Sequence, residues 1–201
     1  MTAAGLVLAA GGGSRFGGPK ALARWGEELF VERAVATLRA AGCSPVVVVL
    51  GAAAPEVARS AELGDAVVVV NDGWSTGMGS SLCTGLAVLT DLGAPAAVVL
   101  LVDQPKVSPE VVRRLVESWA TGVAAVSATY DGRRRNPVLL DASVWLDVTA
   151  SALGDVGARG WLDSHPDDVV LVACDDLGND HDIDTQLDLE RLTSDPAKDR
   201  A

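Results

Sequence analysis

The sequence predicts an α/β protein built on a doubly wound, mostly parallel sheet. Two observations carry that expectation. Short apolar runs, many of them β-branched, alternate with amphipathic stretches at helical spacing through the first two-thirds of the chain. The runs are also apolar at successive positions, as in strands covered by helices on both faces. Crossovers between parallel strands are right-handed almost without exception, so the helices fall on both sides of the sheet.

The elements follow in order. Residues 5–10 form a buried strand ended by Gly11, Gly12 and Gly13. Residues 30–41 carry apolar side chains at helical spacing and close at Gly42, a residue suited to a C-cap. Residues 46–50 make a second strand, residues 55–63 a short helix and residues 66–70 a third strand. A loop rich in glycine and serine, 71–79, then leads into a helix over 80–89. Residues 96–102 form a fourth strand, Ser108 N-caps a helix running to Trp119, and residues 124–128 form a fifth strand. Beyond Tyr130 the pattern loosens. Asp131 and Gly132 suggest a tight turn, residues 137–140 a strand, and 142–149 and 157–164 two helices. A last strand over 169–173 and a last helix over 185–192 complete one domain, 1–192, with a flexible polar tail at 193–201.

Composition narrows the function. With 201 residues the chain can bury roughly 70% of its unfolded surface in a single core. No apolar run is long enough to cross a bilayer, and no charged region precedes the short apolar start, so the expected location is the cytoplasm. A net charge of −11 argues against nucleic-acid partners, and only Lys20, Lys106 and Lys198 are lysines. Any anion held here must meet a small positive balance of local groups. Cys43, Cys83 and Cys174 lack metal-ligand spacing and are expected to be buried or half-buried free thiols. His165 and His181 lack a nucleophile partner and are expected at the surface.

Ligands of open α/β sheets bind beyond the carboxyl ends of the strands, and four segments there are unusual. After the first strand come Leu8, Ala9, Ala10, Gly11, Gly12 and Gly13, then Arg15, Gly17 and Lys20. Small residues let the backbone approach a ligand, successive amides can nest an anion, and Arg15 with Lys20 offers a fork and a point charge for phosphate. The spacing is neither a dinucleotide fingerprint nor a P-loop. Asn71 and the Gly77, Ser80 and Ser81 stretch open a helix, whose first amides favour an anion or a polar ligand. Asp103 stands at the tip of the fourth strand, where a carboxylate suits a hard cation such as Mg2+. Near the end, Asp182 and Asp184 lie two apart with Ile183 turned inward, so that one of them can join Asp103 on a metal. Thr185 is placed to cap the last helix.

The order of these segments resembles the molybdenum cofactor cytidylyltransferases, nucleotidyltransferases of the glycosyltransferase-A-like fold. The shared pattern is Leu-Ala-Ala-Gly-x-Gly-x-Arg-x-Gly-x-x-Lys, Gly-Met-x-x-Ser-Leu, Asp-Gln-Pro and Asp-Ile-Asp-Thr, across residues 5–192. Ala10 before Gly11, and Pro19 before Lys20, resemble the cytidylyl rather than the guanylyl branch.

The resemblance implies that residues 9–13 hold the base and ribose, Arg15 and Lys20 the triphosphate, and Asp103 with Asp184 the Mg2+. It implies CTP, or else GTP, as donor and a molybdopterin-type phosphorylated acceptor, with a molybdenum hydroxylase or its maturation factor as a further partner. On the acceptor side it implies Asn136, Pro137, Asp155 and Arg159, Asn136 standing where many relatives have histidine. Two other classes remain: a non-catalytic molybdenum cofactor chaperone, and an oxidoreductase with a nicotinamide cofactor. Against the latter, the second strand ends at Leu50 and Gly51, with no acidic residue for a ribose.

Overall fold

The computed structural model describes residues 2–119, 123–178 and 181–194. Its centre is a seven-stranded sheet in the order β5-β4-β1-β6-β8-β7-β9. The strands are β1 (Ala4–Ala9), β4 (Val46–Leu50), β5 (Val67–Val70), β6 (Ala96–Leu101), β7 (Ala125–Tyr130), β8 (Arg133–Asp141) and β9 (Val169–Ala173). Only β8 runs antiparallel to its neighbours. Two further short strands, β2 (Arg24–Trp25) and β3 (Glu28–Leu29), form a separate hairpin.

Successive residues of the central strands point to opposite faces, and each face meets helices. Val7, Val48, Val98 and Leu100 pack with α1 (Phe30–Ala40), α2 (Ala54–Ser60), α4 (Pro109–Ser118) and α7 (Gln186–Ser194). Leu6, Val47, Val49 and Val99 pack with α3 (Met78–Asp91), α5 (Trp145–Ser151) and α6 (Arg159–Ser164). Fully buried side chains such as Phe30, Leu38, Leu86 and Leu115 each contribute about 1.5–3 kcal/mol by leaving water.

Helix ends follow the local chemistry. Glu32 accepts from the amide of Leu29 at 2.7 Å, satisfying an orphan donor at the start of α1. Gly42, at φ +87°, turns the chain out of that helix, as its position suggested. Ser108 caps α4 by accepting from the amide of Val111 at 3.4 Å, with Pro109 in the first turn. Thr185 and Asp188 exchange bonds across the start of α7, the amide of Thr185 reaching Asp188 at 2.9 Å and that of Asp188 the Thr185 hydroxyl at 3.2 Å.

Several expectations need correcting. The strand over 67–70 is an edge strand, and Val67, Val68 and Val70 are 37%, 41% and 51% exposed rather than covered on both faces. β9 is the opposite edge and exposes Val170 and Leu171. The strand expected at 137–140 begins at Arg133, because the turn at Asp131 and Gly132 zips it onto β7. The helix expected from residue 80 starts at Met78. Thr193 and Ser194 belong to α7, while the rest of the expected tail, 195–201, lies outside the described residues. Cys43 and Cys174 are buried free thiols, Cys83 is half-buried and free, and both histidines are exposed.

Candidate active site

β1 and β6 are neighbours, with Leu8 opposite Leu101, and the chain leaves β1 toward β4 on one side and β6 toward β7 on the other. Their carboxyl ends flank the point where the strand order reverses, the customary ligand crevice of such sheets.

The loop after β1 folds back on itself. The amides of Gly17 and Gly18 donate to the carbonyl of Gly13 at 2.9 and 3.2 Å. Gly13 sits at φ +62°, and a Cβ there would lie 1.9 Å from the carbonyl oxygen of Gly18, so no larger residue fits this turn. The turn delivers Lys20, whose ammonium donates to Asp103 Oδ2 at 2.8 Å and Asp184 Oδ1 at 2.6 Å. Burial pulls the Lys20 pKa down, but the bonds and charges of Asp103 and Asp184 outweigh it and leave the value raised. Arg15 extends into solvent with its guanidinium 3.9 Å from Asp184.

The segment carrying Asp184 is tied to both loops. The amide of Ile183 donates to the carbonyl of Asp103 at 2.9 Å, the Gln104 amide to Asp182 Oδ1 at 2.9 Å, and the Gln186 amide to the carbonyl of Phe16 at 2.9 Å. Ile183 is buried as expected, but the carboxylates flanking it do not face the same way, since Asp184 meets Lys20 and Asp182 meets Gln104. Burial, and then the charge of Asp103, push the Asp182 carboxyl above its usual range.

Two cavities open here. One, of about 400 Å³, is lined by Leu8, Ala10, Gly11, Gly12, Gly13, Arg15, Lys20, Gly77, Ser81, Asp103 and Asp184 among the anticipated residues. The second, of about 780 Å³, takes in Asn136, Asp155 and Arg159, together with Arg134, Arg135 and Gln104. They share Leu8, Met78, Leu101, Asp103 and Asp155.

Four anticipated residues line neither cavity. Ala9 points into the core on the other face of the sheet, with Val7 and Leu50. Pro137 is buried between Asn136 and Val138, which both line the second cavity. Asn71 is buried and donates to the hydroxyls of Ser80 and Ser81 at 2.8 and 3.0 Å while accepting from the amide of Gly73 at 2.9 Å. The Ser80 hydroxyl is taken up by the carbonyls of Gly73 and Gly77. Asn71 and Ser80 therefore shape the loop, and Ser81 and Gly77 present it.

Met78, from the Gly-Met-x-x-Ser-Leu segment, lines the first cavity, and so do Trp74 and Ser75, which had not been singled out. Trp74 packs over Gly12, where a Cβ would meet its ring at 3.2 Å. A lone tryptophan among glycines and serines was the available signal. The expected local excess of positive charge is absent. Two cations, Arg15 and Lys20, face three carboxylates, Asp103, Asp155 and Asp184, around the first cavity. Lys20 is bonded to two of the three.

Comparison with known proteins places these features. A model of the MobA-like NTP transferase domain matches residues 5–175. The nicotine blue oxidoreductase of Paenarthrobacter nicotinovorans is 40% identical over 196 residues, covering 94% of this chain and 95% of that protein. The crystal structure of the Mycobacterium tuberculosis Rv0371c homologue from Mycobacterium sp. strain JC1 has a TM-score of 0.83 at 29% identity, covering 96% of this chain and 95% of that one. Rv0371c of M. tuberculosis H37Rv, solved in complex with manganese, has a TM-score of 0.80 at 28% identity, covering 96% and 99%.

Proposed function

The chain belongs to the MobA-like NTP transferase domain family, a family of nucleotidyltransferases, and from that premise we propose that it is a Mg2+-dependent CTP:molybdopterin cytidylyltransferase. One observation carries the reading. A glycine-walled cavity bearing Arg15 and Lys20 meets a second cavity bearing Arg134, Arg135 and Arg159, and the carboxylate of Asp103 stands at their junction. That is the layout for joining two phosphorylated molecules.

In the proposed reaction a terminal phosphate oxygen of the acceptor attacks the α-phosphorus of CTP. The bond to the β-phosphate breaks, and pyrophosphate leaves with the electron pair. The nucleophile is already anionic, so no general base is required, and the protein's work is positioning and charge neutralisation. The amides of the glycine loop and Arg15 hold the triphosphate, Lys20 neutralises it, and Ala10, Gly12 and Trp74 enclose the nucleoside end. The methyl of Ala10 narrows the cavity where the guanylyl branch carries glycine, which favours a one-ring base. Arg159 and Arg135 orient the anionic acceptor in the second cavity.

The donor set fits a hard divalent ion. Asp103 and Asp184 both reach the single nitrogen of Lys20, so their oxygens converge within the reach of one cation. Among the described residues no group of three or more His, Cys, Asp or Glu side chains could hold a metal. Two carboxylates completed by substrate phosphates match the habit of Mg2+. When bound, the ion supplies charge neutralisation at the phosphates. With three carboxylates against two cations around the cavity, a bare triphosphate would be repelled, so nucleotide and metal enter as one complex.

In this reading residues 1–192 act as one domain in the cytoplasm and deliver product to a molybdenum hydroxylase or its maturation factor; no described helix is long and apolar enough to cross a membrane. Incubation with α-labelled CTP or GTP, Mg2+ and molybdopterin tests the reading, and failure to transfer label from either nucleotide would sink it. The 40% identity to a nicotine blue oxidoreductase favours one second reading, reduction of that dye with a nicotinamide cofactor. Oxidation of NADH or NADPH that depends on nicotine blue would select it, and Asp103→Ala would leave that activity standing while removing transfer.

A further inference from the structure

Beside the strand ends they share, the walls of the two cavities meet where the start of α3 touches the connection between α5 and α6. On the nucleotide side stand Gly77, Met78 and Ser81, at and within the first turn of α3. On the acceptor side stand Asp155, Val156 and Gly157, from the connection between α5 and α6. The backbones of these pieces touch. A Cβ on Gly79 would lie 2.1 Å from the carbonyl oxygen of Ala152, and one on Gly77 would lie 2.3 Å from the carbonyl carbon of Gly154. A Cβ on Gly157 would meet the sulfur of Met78 at 3.3 Å.

One side chain links the pieces by a hydrogen bond. The amide of Met78 donates to Asp155 Oδ1 at 3.3 Å. The first amides of a helix have no partner within it, and Gly77 at the N-cap brings no side chain to satisfy them. A carboxylate from far along the chain takes that role, where the helix dipole also favours negative charge. Four residues on, Arg159 opens α6 and lines the acceptor cavity. Its guanidinium has no hydrogen bond or ion pair within the described residues, so the backbone of 154–158 determines where it stands.

We propose that Asp155 is a positioning residue that couples the cavities: nucleotide settling against the first turn of α3 fixes, through Asp155, the wall that presents Arg159 to the acceptor. The inference rests on the nucleotide-binding reading above and adds a communication between its two halves. Coupling of this kind is reciprocal, so acceptor also tightens nucleotide binding.

Hydrogen exchange read by mass spectrometry tests this without any acceptor. In the wild type, Mg2+-CTP (with Mg2+-GTP in parallel) should slow exchange both at 11–20 and at 152–159, the latter by about three- to tenfold, the equivalent of one net hydrogen bond. Asp155→Ala should keep the slowing at 11–20 and lose it at 152–159, while Asp155→Asn, which retains an acceptor oxygen, should restore it. Asp155→Ala should raise the acceptor KM by a similar factor at saturating nucleotide, and should weaken nucleotide binding by the same factor when acceptor is present and by less than about twofold when it is absent. Slowing at 11–20 alone in the wild type, or slowing at 152–159 that survives in Asp155→Ala, overturns the coupling while leaving the functional reading intact. No slowing at 11–20 with either nucleotide overturns that reading and the coupling with it.

Discussion

Replacing Lys20 by methionine removes the only ammonium between two carboxylates and keeps most of the apolar stem. Lys20 donates to Asp103 at 2.8 Å and to Asp184 at 2.6 Å, with its side chain 13% exposed, that of Asp103 23% and that of Asp184 47%. The sheltered bond to Asp103 is worth about 1.5–2 kcal/mol as a charge-assisted bond. The half-exposed partner adds about 0.5–1 kcal/mol after screening. Lys20→Met should therefore destabilise the protein by about 2–3 kcal/mol at pH 7 in chelator, lowering Tm by roughly 4–12 °C for a chain of this size. The folded pKa of Lys20 lies above its unfolded value of 10.5. Its contribution is thus complete below 10.5 and fades only as pH rises through the folded value. Divalent metal sharpens the test. In the wild type Mn2+ alone must displace the ammonium, whereas in Lys20→Met the two carboxylates are left to the ion. Millimolar Mn2+ should raise Tm more in the variant than in the wild type, by mass action. Calorimetry with and without Mn2+ reads both effects. A variant as stable as wild type in chelator, and indifferent to Mn2+, would refute the claim that Lys20 bridges a cation site.

Asp103→Ala should lower transfer by at least about 10²-fold while leaving the fold intact, as measured by label transfer beside circular dichroism. Gly79→Ala drives a methyl into the carbonyl oxygen of Ala152, 2.1 Å from its ideal place, and should cost about 1–3 kcal/mol in urea unfolding. Burial pushes the Cys43 thiol from 9.0 to about 11, so native stability should decline from pH 9 and level off near 11. Comparing Cys43→Ala with wild type across that window should remove about 2–3 kcal/mol of the decline. Trp74 lines the first cavity and packs over Gly12, so Mg2+-CTP should change tryptophan emission in the wild type and change it far less in Trp74→Phe.

The central strands were legible because β1, β4 and β6 bury both faces, and a run such as Val46–Leu50 permits little else. The same composition misled at Val67–Val70, since an apolar run does not declare whether a neighbour lies beyond it. The charges of Arg133 to Arg135 hid the start of β8, which pairing with β7 imposes from outside the segment. The hairpin of β2 and β3 has two residues per strand, too few for any periodicity, and Trp25 there stacks under Arg33 at 4.0 Å. At the site, the glycine loop and the approach of one carboxylate of the 182–184 pair to Asp103 were readable from residue type and spacing, while the choice of Asp184 came from the family resemblance. The direction of side chains was not. Asn71 and Ser80 have the chemistry of ligand contacts, yet they turn toward each other, and Trp74 takes the cavity wall. The lysine meant for phosphate also rests on carboxylates, because sequence shows charges singly and folding pairs them.

The most direct measurement follows the α-phosphate. With purified protein, Mg2+, molybdopterin and α-labelled CTP, label should appear in a molybdopterin cytosine dinucleotide with one pyrophosphate released per transfer, and labelled GTP should compete poorly. Label that stays in CTP and GTP under every metal tried, with NADPH-dependent reduction of nicotine blue by the same preparation, would contradict the account.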